Sequence, residues 1–411
     1  MHRTSASVQM KPRIFIAMHY MEIGGAESSL IGLLEALDPK RVDIDLFIYS
    51  HQGVFMNAIP KYVNVLPEIR IWSTMEKPMK KVLLMGYPQV VLARLIAKWR
   101  TKRFYKRNPT DLPHCAGFAY IGEGIAKVVP SLKKYGTYDL AISYMNPHDF
   151  VLKHVSAKRK IAWIHTDYNQ ISINVEKELP IWGAYDKIIS ISKDVTQAFL
   201  RVFPTLKGKI VECENMMPKR WIDKNATSKT VEADYIREGV VTLCSVGRIS
   251  YAKNYDNIPH IAAELKKIGG KDFKFHWFIV GPGNHSNIDS VAKELGVDDV
   301  ITFLGPSDNP YPYIKNCDIY VHPSRYEGKS IVVREAQILC KPVIITNYPT
   351  AKSQINNGTD GIICELDNEK IAEAIHDLAT NEKTRERLIN YLQSHDNAGI
   401  NEVEKIYKLI E

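Results

Sequence analysis

Short apolar runs, rich in β-branched residues, alternate with stretches of helical periodicity along almost the whole chain. In the first half the runs are Arg13–His19, Val42–Tyr49, Val63–Leu66, Tyr138–Tyr144, Lys160–His165, Lys187–Ser192 and Ile210–Cys213. In the second half they are Val240–Val246, Phe275–Val280, Ile301–Leu304, Ile319–His322, Pro342–Thr346 and Gly361–Cys364. Most are continuous rather than alternating, which is how a parallel strand buried on both faces reads. Strand–helix–strand succession predicts right-handed βαβ units and doubly wound sheets. The series pauses near residues 215–232. There Asn215-Met216-Met217-Pro218 leads into a polar stretch with Asn225, Ser228 and Lys229, and a second series starts at Val240. The pattern predicts an α/β protein of two Rossmann-like, doubly wound parallel-sheet domains facing a cleft. The expected spans are residues 1–215 and 216–385, with a helix over 386–411 packing back toward the first domain. Ligands of such sheets sit at the carboxyl ends of the strands.

Composition narrows the class. The chain has 411 residues, 45% hydrophobic and 24% charged, enough for two well-packed cores. Its net charge is +8, and seven of the cations lie between Arg94 and Arg107 with no acid among them. The rest is near neutral, which argues against a general nucleic-acid binder. Six scattered cysteines without a Cys-x-x-Cys pair read as reduced thiols of a cytoplasmic protein, with no zinc site. No secretory leader is read at the N-terminus, and residues 1–9 read as a dispensable extension before Met10-Lys11-Pro12. The longest apolar stretch, Val82–Ala93, is interrupted by Gly86, Pro88 and Gln89. It falls short of the ~20 residues of a spanning helix, so the protein is expected to be soluble or peripheral.

Residues 68–135 fit the alternation least. Within them Val90–Arg107 reads as a helix with Leu92, Leu95, Ile96 and Trp99 on one stripe, flanked by cations. Such a helix suits the surface of an anionic membrane, whereas an apolar stripe more often packs on its own domain. Both readings stand at this point.

Candidate chemistry clusters at strand ends. Gly24-Gly25 follow the first strand and open a helix, which lets backbone amides approach a ligand. This turn is not Gly-x-Gly-x-x-Gly, so the dinucleotide fingerprint is absent. The strand ending at Val246 is followed by Gly247-Arg248 and by Lys253-Asn254. Arg248 and Lys253 suit a diphosphate, one by bidentate contacts and one as a mobile point charge. Phe278–Gly283 runs a strand into a glycine turn at Gly281 that fits a flat ligand such as a base. The densest segment is His322–Ala336, with Glu327 in a loop, a helix from about Ser330, and Glu335 two turns into it. The helix start offers unpaired amides to an anion, and the two acids are placed to take hydroxyls of a sugar and a ribose diol. Asp43-Ile44-Asp45 spells a metal-clamp motif. Its alternation with Val42, Ile44 and Leu46 reads instead as solvent-facing strand residues, and no metal is expected.

Taken together, Gly24-Gly25-Ala26-Glu27, Gly247-Arg248 with Lys253-Asn254, Gly281-Pro282-Gly283, Glu327 with Glu335, and Gly358 with Gly361-Ile362 resemble family 4 of the retaining glycosyltransferases, which have the GT-B fold. The likeness runs from Arg13 to about Cys364, and its style resembles bacterial enzymes of surface-polysaccharide synthesis. The resemblance implies a nucleotide-diphosphate-sugar donor, no further cofactor, and a glycan or lipid-linked oligosaccharide acceptor. It implies a place in the cytoplasm, at the inner face of the cell membrane where residues 90–107 reach it. It implies that Arg248 and Lys253 hold the donor diphosphate, Glu327 the donor sugar and Glu335 the ribose. The amides of Ser330 and Ile331 and the Gly24-Gly25 loop would then touch phosphate. His165 is similar to the family's active-site histidine. One departure lies at Glu327-Gly328-Lys329-Ser330, where Lys and Ser stand in place of the frequent Phe and Gly.

Charge development in such a reaction favours protein cations at the leaving diphosphate. Same-face displacement is preferred, because no carboxylate is nominated beside the anomeric carbon. A non-catalytic, membrane-associated sugar-nucleotide binding module of the same fold is the alternative.

Overall fold

The computed structural model describes residues 11–22, 24–231, 235–327 and 329–410. Residues 1–10, Gly328 and Glu411, which entered the sequence reading, lie outside the described residues. The chain forms two compact units. One is Met1–Met216 with Gly399–Glu411, and the other is Met217–Ala398.

The first unit is built on a seven-stranded sheet in the order β3-β2-β1-β4-β5-β6-β7. The strands are β1 (Arg13–Met18), β2 (Asp43–Ile48), β3 (Asn64–Val65), β4 (Thr137–Ser143), β5 (Ser156–Ile164), β6 (Lys187–Ser190) and β7 (Ile210–Glu212). All of the pairings are parallel. The continuous apolar runs are explained by the burial: every residue from Ile14 to Met18 is inside. One layer is largely aromatic, with Phe15, Phe47, Trp72, Tyr138 and Phe150 in a single cluster.

Asp45 departs from the solvent-facing expectation. Its carboxylate accepts from the Tyr138 hydroxyl at 2.6 Å, from Arg13 Nη2 at 2.9 Å and from Asn64 Nδ2 at 2.6 Å. It therefore joins β1, β2, β3 and β4 at one edge of the core, while Asp43 is exposed. A strand edge that needs an acceptor for a buried tyrosine holds an acid as firmly as a solvated face does.

The chain end belongs to this unit. The Glu402 carboxylate accepts the Glu214 amide at 2.8 Å, and the Tyr407 hydroxyl accepts the Asp38 amide at 2.7 Å. Arg41 stacks over the Tyr407 ring at 3.4 Å. The helix Glu382–Ser394 lies in the second unit, so the stretch 386–411 is divided between the two rather than forming one helix.

Residues 68–135 add the helices Met79–Leu84, Pro88–Arg107 and Gly117–Ile125 to the first unit. On Pro88–Arg107 the buried residues are Val90, Ala97 and Tyr105. Leu92, Leu95, Ile96 and Trp99 face outward, 59%, 47%, 47% and 59% exposed. The apolar stripe is thus not the packing face. No helix among the described residues is long and apolar enough to cross a membrane.

The second unit is a six-stranded sheet in the order β10-β9-β8-β11-β12-β13. Its strands are β8 (Val241–Val246), β9 (Phe275–Val280), β10 (Ile301–Gly305), β11 (Ile319–His322), β12 (Val343–Thr346) and β13 (Ile362–Cys364). All pair in parallel. Apolar clusters cover both faces, one around Trp277 and Ile261 and one around Tyr320 and Ile345. The order reverses between β8 and β11, the switch point at which a doubly wound sheet has its ligand crevice, at the carboxyl ends of the strands. At the end of β9 a Cβ on Gly281 would stand 2.0 Å from the Gly247 carbonyl oxygen. Only glycine lets the β8 and β9 turns pass backbone to backbone here.

Candidate functional site

The β8–β11 crevice gathers the chemistry of the second unit. After β8 the chain makes short helical turns over Tyr251–Lys253 and Tyr255–Asn257, with Asn254 left-handed between them at φ 60°. This kink directs Lys253 back over the strand end. After β11 the chain runs Pro323–Glu327 toward the helix Ile331–Ile338. Arg325 zips the two loops together. Its guanidinium holds Asp256 at 2.7 and 2.6 Å, donates to the Tyr251 carbonyl at 2.7 Å, and lies over the Tyr251 ring. Its amide donates to the Ala252 carbonyl at 2.8 Å.

Three donors meet on one oxygen at the centre. Glu327 Oε1 accepts from Lys253 Nζ at 2.5 Å, from His322 Nε2 at 2.8 Å and from Ser324 Oγ at 2.9 Å. Burial by itself raises the Glu327 pKa, but the hydrogen bonds and charges of His322 and Lys253 outweigh it and bring the value down to about 2. The carboxylate is therefore ionised at any physiological pH. The loop is braced from the β12 side. The Thr350 hydroxyl donates to the Glu327 carbonyl at 2.9 Å, and Thr346 donates to the Ser324 carbonyl.

Glu335 lies deeper, on the second turn of Ile331–Ile338. It is buried, and the Tyr311 hydroxyl donates to its Oε1 at 3.1 Å. Burial lifts its pKa to about 7, which the Tyr311 bond offsets only in part. No contact joins Glu335 to Glu327 among the described residues. Arg248, directly after the β8 turn, is exposed and has no ion-pair partner among them. At the helix start the Ser330 amide donates to Gln354 Oε1 at 3.0 Å, and Gln354 Nε2 returns a bond to the Ser330 carbonyl at 2.5 Å. The Ser330 hydroxyl is buried without a partner. Gly281 serves the close approach described above.

In the first unit, Gly24 is the N-cap of the helix Gly25–Ala36. The Glu27 carboxylate folds back over it, 2.2 Å from where a Gly24 Cβ would stand. The protein's own acid thus sits at this helix N-terminus, and burial raises its pKa. His165 follows β5, its ring 4.6 Å from that of Tyr144 and parallel to Trp163. Its Nε2 is buried without a partner. Burial pulls its pKa to about 3, against a backbone hydrogen bond to Tyr144, so the imidazole is neutral at pH 7.

Sequence reading gave no role to His322, Ser324, Gln354, Arg325 or Asp256. His322 and Ser324 stood beside Glu327, but only the strand end and the turn-back show that they face it. His19 was missed as well. It follows β1, pairs with Glu76 at 3.0 Å through Nδ1, and has a buried Nε2 without a partner.

Residues 229–395 match the model of the family Glycosyl transferases group 1. An uncharacterized glycosyltransferase of Haemophilus influenzae is 26% identical over 62% of this chain and 68% of its own length. A Campylobacter jejuni N-acetylgalactosaminyltransferase, which acts on a diphospho-undecaprenol substrate, is 27% identical over 41% of this chain and 47% of its own length. Among solved structures, a glycosyltransferase from Rickettsia africae superposes with TM-score 0.64 at 15% identity, covering 98% of this chain and 99% of that one. HepE of Anabaena, solved with UDP, superposes with TM-score 0.59 at 14% identity, covering 97% of this chain and 99% of that one.

The buried acid has a measurable signature. An unfolded Glu335 titrates near 4.5 and the folded one near 7, so between these values the folded state keeps a proton that the unfolded state has lost. Stability falls as pH rises through that window. Glu335→Gln removes the fall, so its melting temperature relative to wild type should increase from pH 4.5 to pH 7.5. Calorimetry at both values checks this, and a difference independent of pH contradicts it. The chain has the two-Rossmann GT-B fold, and its second unit carries the sequence pattern of group 1 glycosyl transferases.

Proposed function

We propose that this protein is a retaining, metal-independent glycosyltransferase of family 4. On this reading it moves a sugar from a nucleotide-diphosphate sugar to a glycan or lipid-linked acceptor in the synthesis of a bacterial surface polysaccharide. The observation that carries the reading is the Glu327 carboxylate paired with Lys253 at the β8–β11 switch point, with Arg248 exposed on the same loop as Lys253. The family match over 229–395 and the UDP complex of HepE support the same donor class. The Campylobacter relative supports a polyprenyl-linked acceptor.

The chemistry is assigned as follows. The bond between the anomeric carbon and the diphosphate oxygen breaks, and the diphosphate leaves with the electron pair. Arg248, Lys253 and the amides at the start of Ile331–Ile338, that of Ile331 included, stabilise the growing negative charge. Glu327 binds hydroxyls of the donor sugar, and Glu335 accepts from the ribose. The acceptor hydroxyl attacks from the face the diphosphate leaves, and its proton passes to the departing phosphate oxygen. Protein cations carry the charge that a metal ion would otherwise neutralise. The neutral His165 offers its unpartnered Nε2 as a hydrogen-bonding group for sugar hydroxyls in the first unit.

The outward face of Pro88–Arg107 extends the reading to location. Leu92, Leu95, Ile96 and Trp99 are exposed amid Lys98, Lys102, Arg103 and Lys106, with Leu83 and Leu84 exposed on the preceding helix. Apolar side chains ringed by cations suit the headgroup region of an anionic leaflet, where each nearby Lys or Arg adds about 1 kcal/mol. The protein is assigned to the cytoplasm, peripheral at the inner face of the cell membrane.

Two measurements test these assignments. In a thermal-shift screen of UDP, GDP, ADP, CMP and their sugar conjugates, one nucleotide should stabilise wild type by about 2.7 kcal/mol at 100 times its dissociation constant. Arg248→Ala should lose that shift, and sugar transfer should disappear in Glu327→Ala with the fold retained. Nucleotide binding without any turnover would leave a binding module instead. In flotation, vesicles containing phosphatidylglycerol should carry wild type several-fold better than phosphatidylcholine vesicles. Leu92→Ala with Trp99→Ala should lose most of that difference, and equal flotation on both vesicles contradicts the membrane assignment.

A further inference from the structure

The arrangement around Glu327 separates its two oxygens. Lys253, His322 and Ser324 all meet Oε1, and no described residue donates to Oε2. A carboxylate has about four acceptor positions. Three donors crowd one oxygen and leave the other open.

His322 is the most rigid of the three. It is the last residue of β11, which is paired on both sides, with β8 and with β12. The residue is 0% exposed, and its ring lies nearly parallel to that of Tyr320. Facing an ionised carboxylate, Nε2 must carry the proton. Nδ1 is then a lone pair, and it is buried without a partner. A second proton there would place an unpaired N–H in the interior, and burial lowers the His322 pKa accordingly. The ring is thus a neutral, fixed donor. Ser324 bridges it, with Oγ 3.1 Å from Nε2 while also donating to Oε1.

Lys253 is a different kind of donor. It reaches Oε1 from the other loop on a flexible stem, and a diphosphate in this crevice would compete for its charge. Without a second anchor, Glu327 would be released as Lys253 turned to phosphate.

We infer that His322, with Ser324, is a positioning residue that holds Glu327 by Oε1, so that Oε2 faces the donor sugar and Lys253 can pass to the leaving diphosphate without freeing the carboxylate. This rests on the donor site proposed above. His322 touches no substrate and acts through Glu327 alone.

The test compares His322→Leu, His322→Gln and Ser324→Ala with wild type. Gln keeps an N–H donor, and Leu keeps volume without one. UDP alone probes binding, and release of UDP from UDP-glucose probes turnover. His322→Leu should bind UDP as wild type does and lose at least tenfold in kcat. Ser324→Ala should lose less, and His322→Gln should recover most of the loss. The Glu327 carboxyl, followed by 13C NMR titration, should titrate at higher pH in His322→Leu than in wild type. That titration needs no turnover, so it still decides the inference if wild type fails to cleave UDP-glucose, a result that would count against the proposed function alone. Melting curves identify a variant that does not fold. If His322→Leu is such a variant, Ser324→Ala and His322→Gln decide by the same two readouts. Wild-type kcat and an unmoved Glu327 titration in the folded variants would overturn the inference, as would a Gln variant as impaired as Leu.

Discussion

One carboxylate oxygen organises the second unit. Glu327 Oε1 draws a lysine from the loop after β8 and a histidine and a serine from the segment around the end of β11. The two loops leave neighbouring strands where the strand order reverses, between β8 and β11. Arg325 and Asp256 tie the same loops on their outer side. The crevice is therefore shaped before any ligand arrives, which lowers the ordering cost that binding would carry. An ionised, mostly buried acid is tolerable only while it keeps charged or hydrogen-bonding partners.

Electrostatic character differs between the two acids that sequence reading set side by side. Glu327 is held ionised by its donors, whereas burial leaves Glu335 close to its titration point near neutrality. Spacing of eight residues could not reveal this. It depends on Tyr311 and on the covering of the first turns of Ile331–Ile338 by neighbouring side chains. The first unit has buried or paired titratable groups of its own after β1 and β5 and on the helix Gly25–Ala36. His165 is kept neutral by burial, Glu27 has a raised pKa, and His19 is paired to Glu76.

Most of the fold was legible because parallel strands buried on both faces leave continuous apolar runs, and the thirteen runs from Arg13 to Cys364 correspond to β1–β13. Arg248, Lys253 and Glu327 were legible as residues of strand-end loops, and the structure brings the last two into contact. Three features were not legible. Asp45 looked like a solvent-facing residue, because period-two alternation cannot foresee a buried Tyr138 hydroxyl that needs an acceptor. The stripe Leu92–Trp99 carries the right spacing for a core face. The helix instead packs through Val90, Ala97 and Tyr105, since small and aromatic residues fit the contact with Gly117–Ile125. His322 looked like a strand residue until the loop after it turned Glu327 back onto its ring.

On the proposed function, the β8–β11 crevice is a nucleotide-sugar site built around a pre-held Glu327. The most direct measurement is a crystal structure of the protein with a nucleotide-diphosphate sugar bound. In it the diphosphate should lie beside Arg248 and the start of Ile331–Ile338, with Lys253 moved onto phosphate and Glu327 still held by His322, its other oxygen on a sugar hydroxyl. A ligand bound elsewhere, or a diphosphate in place with Lys253 still on Glu327, would contradict it.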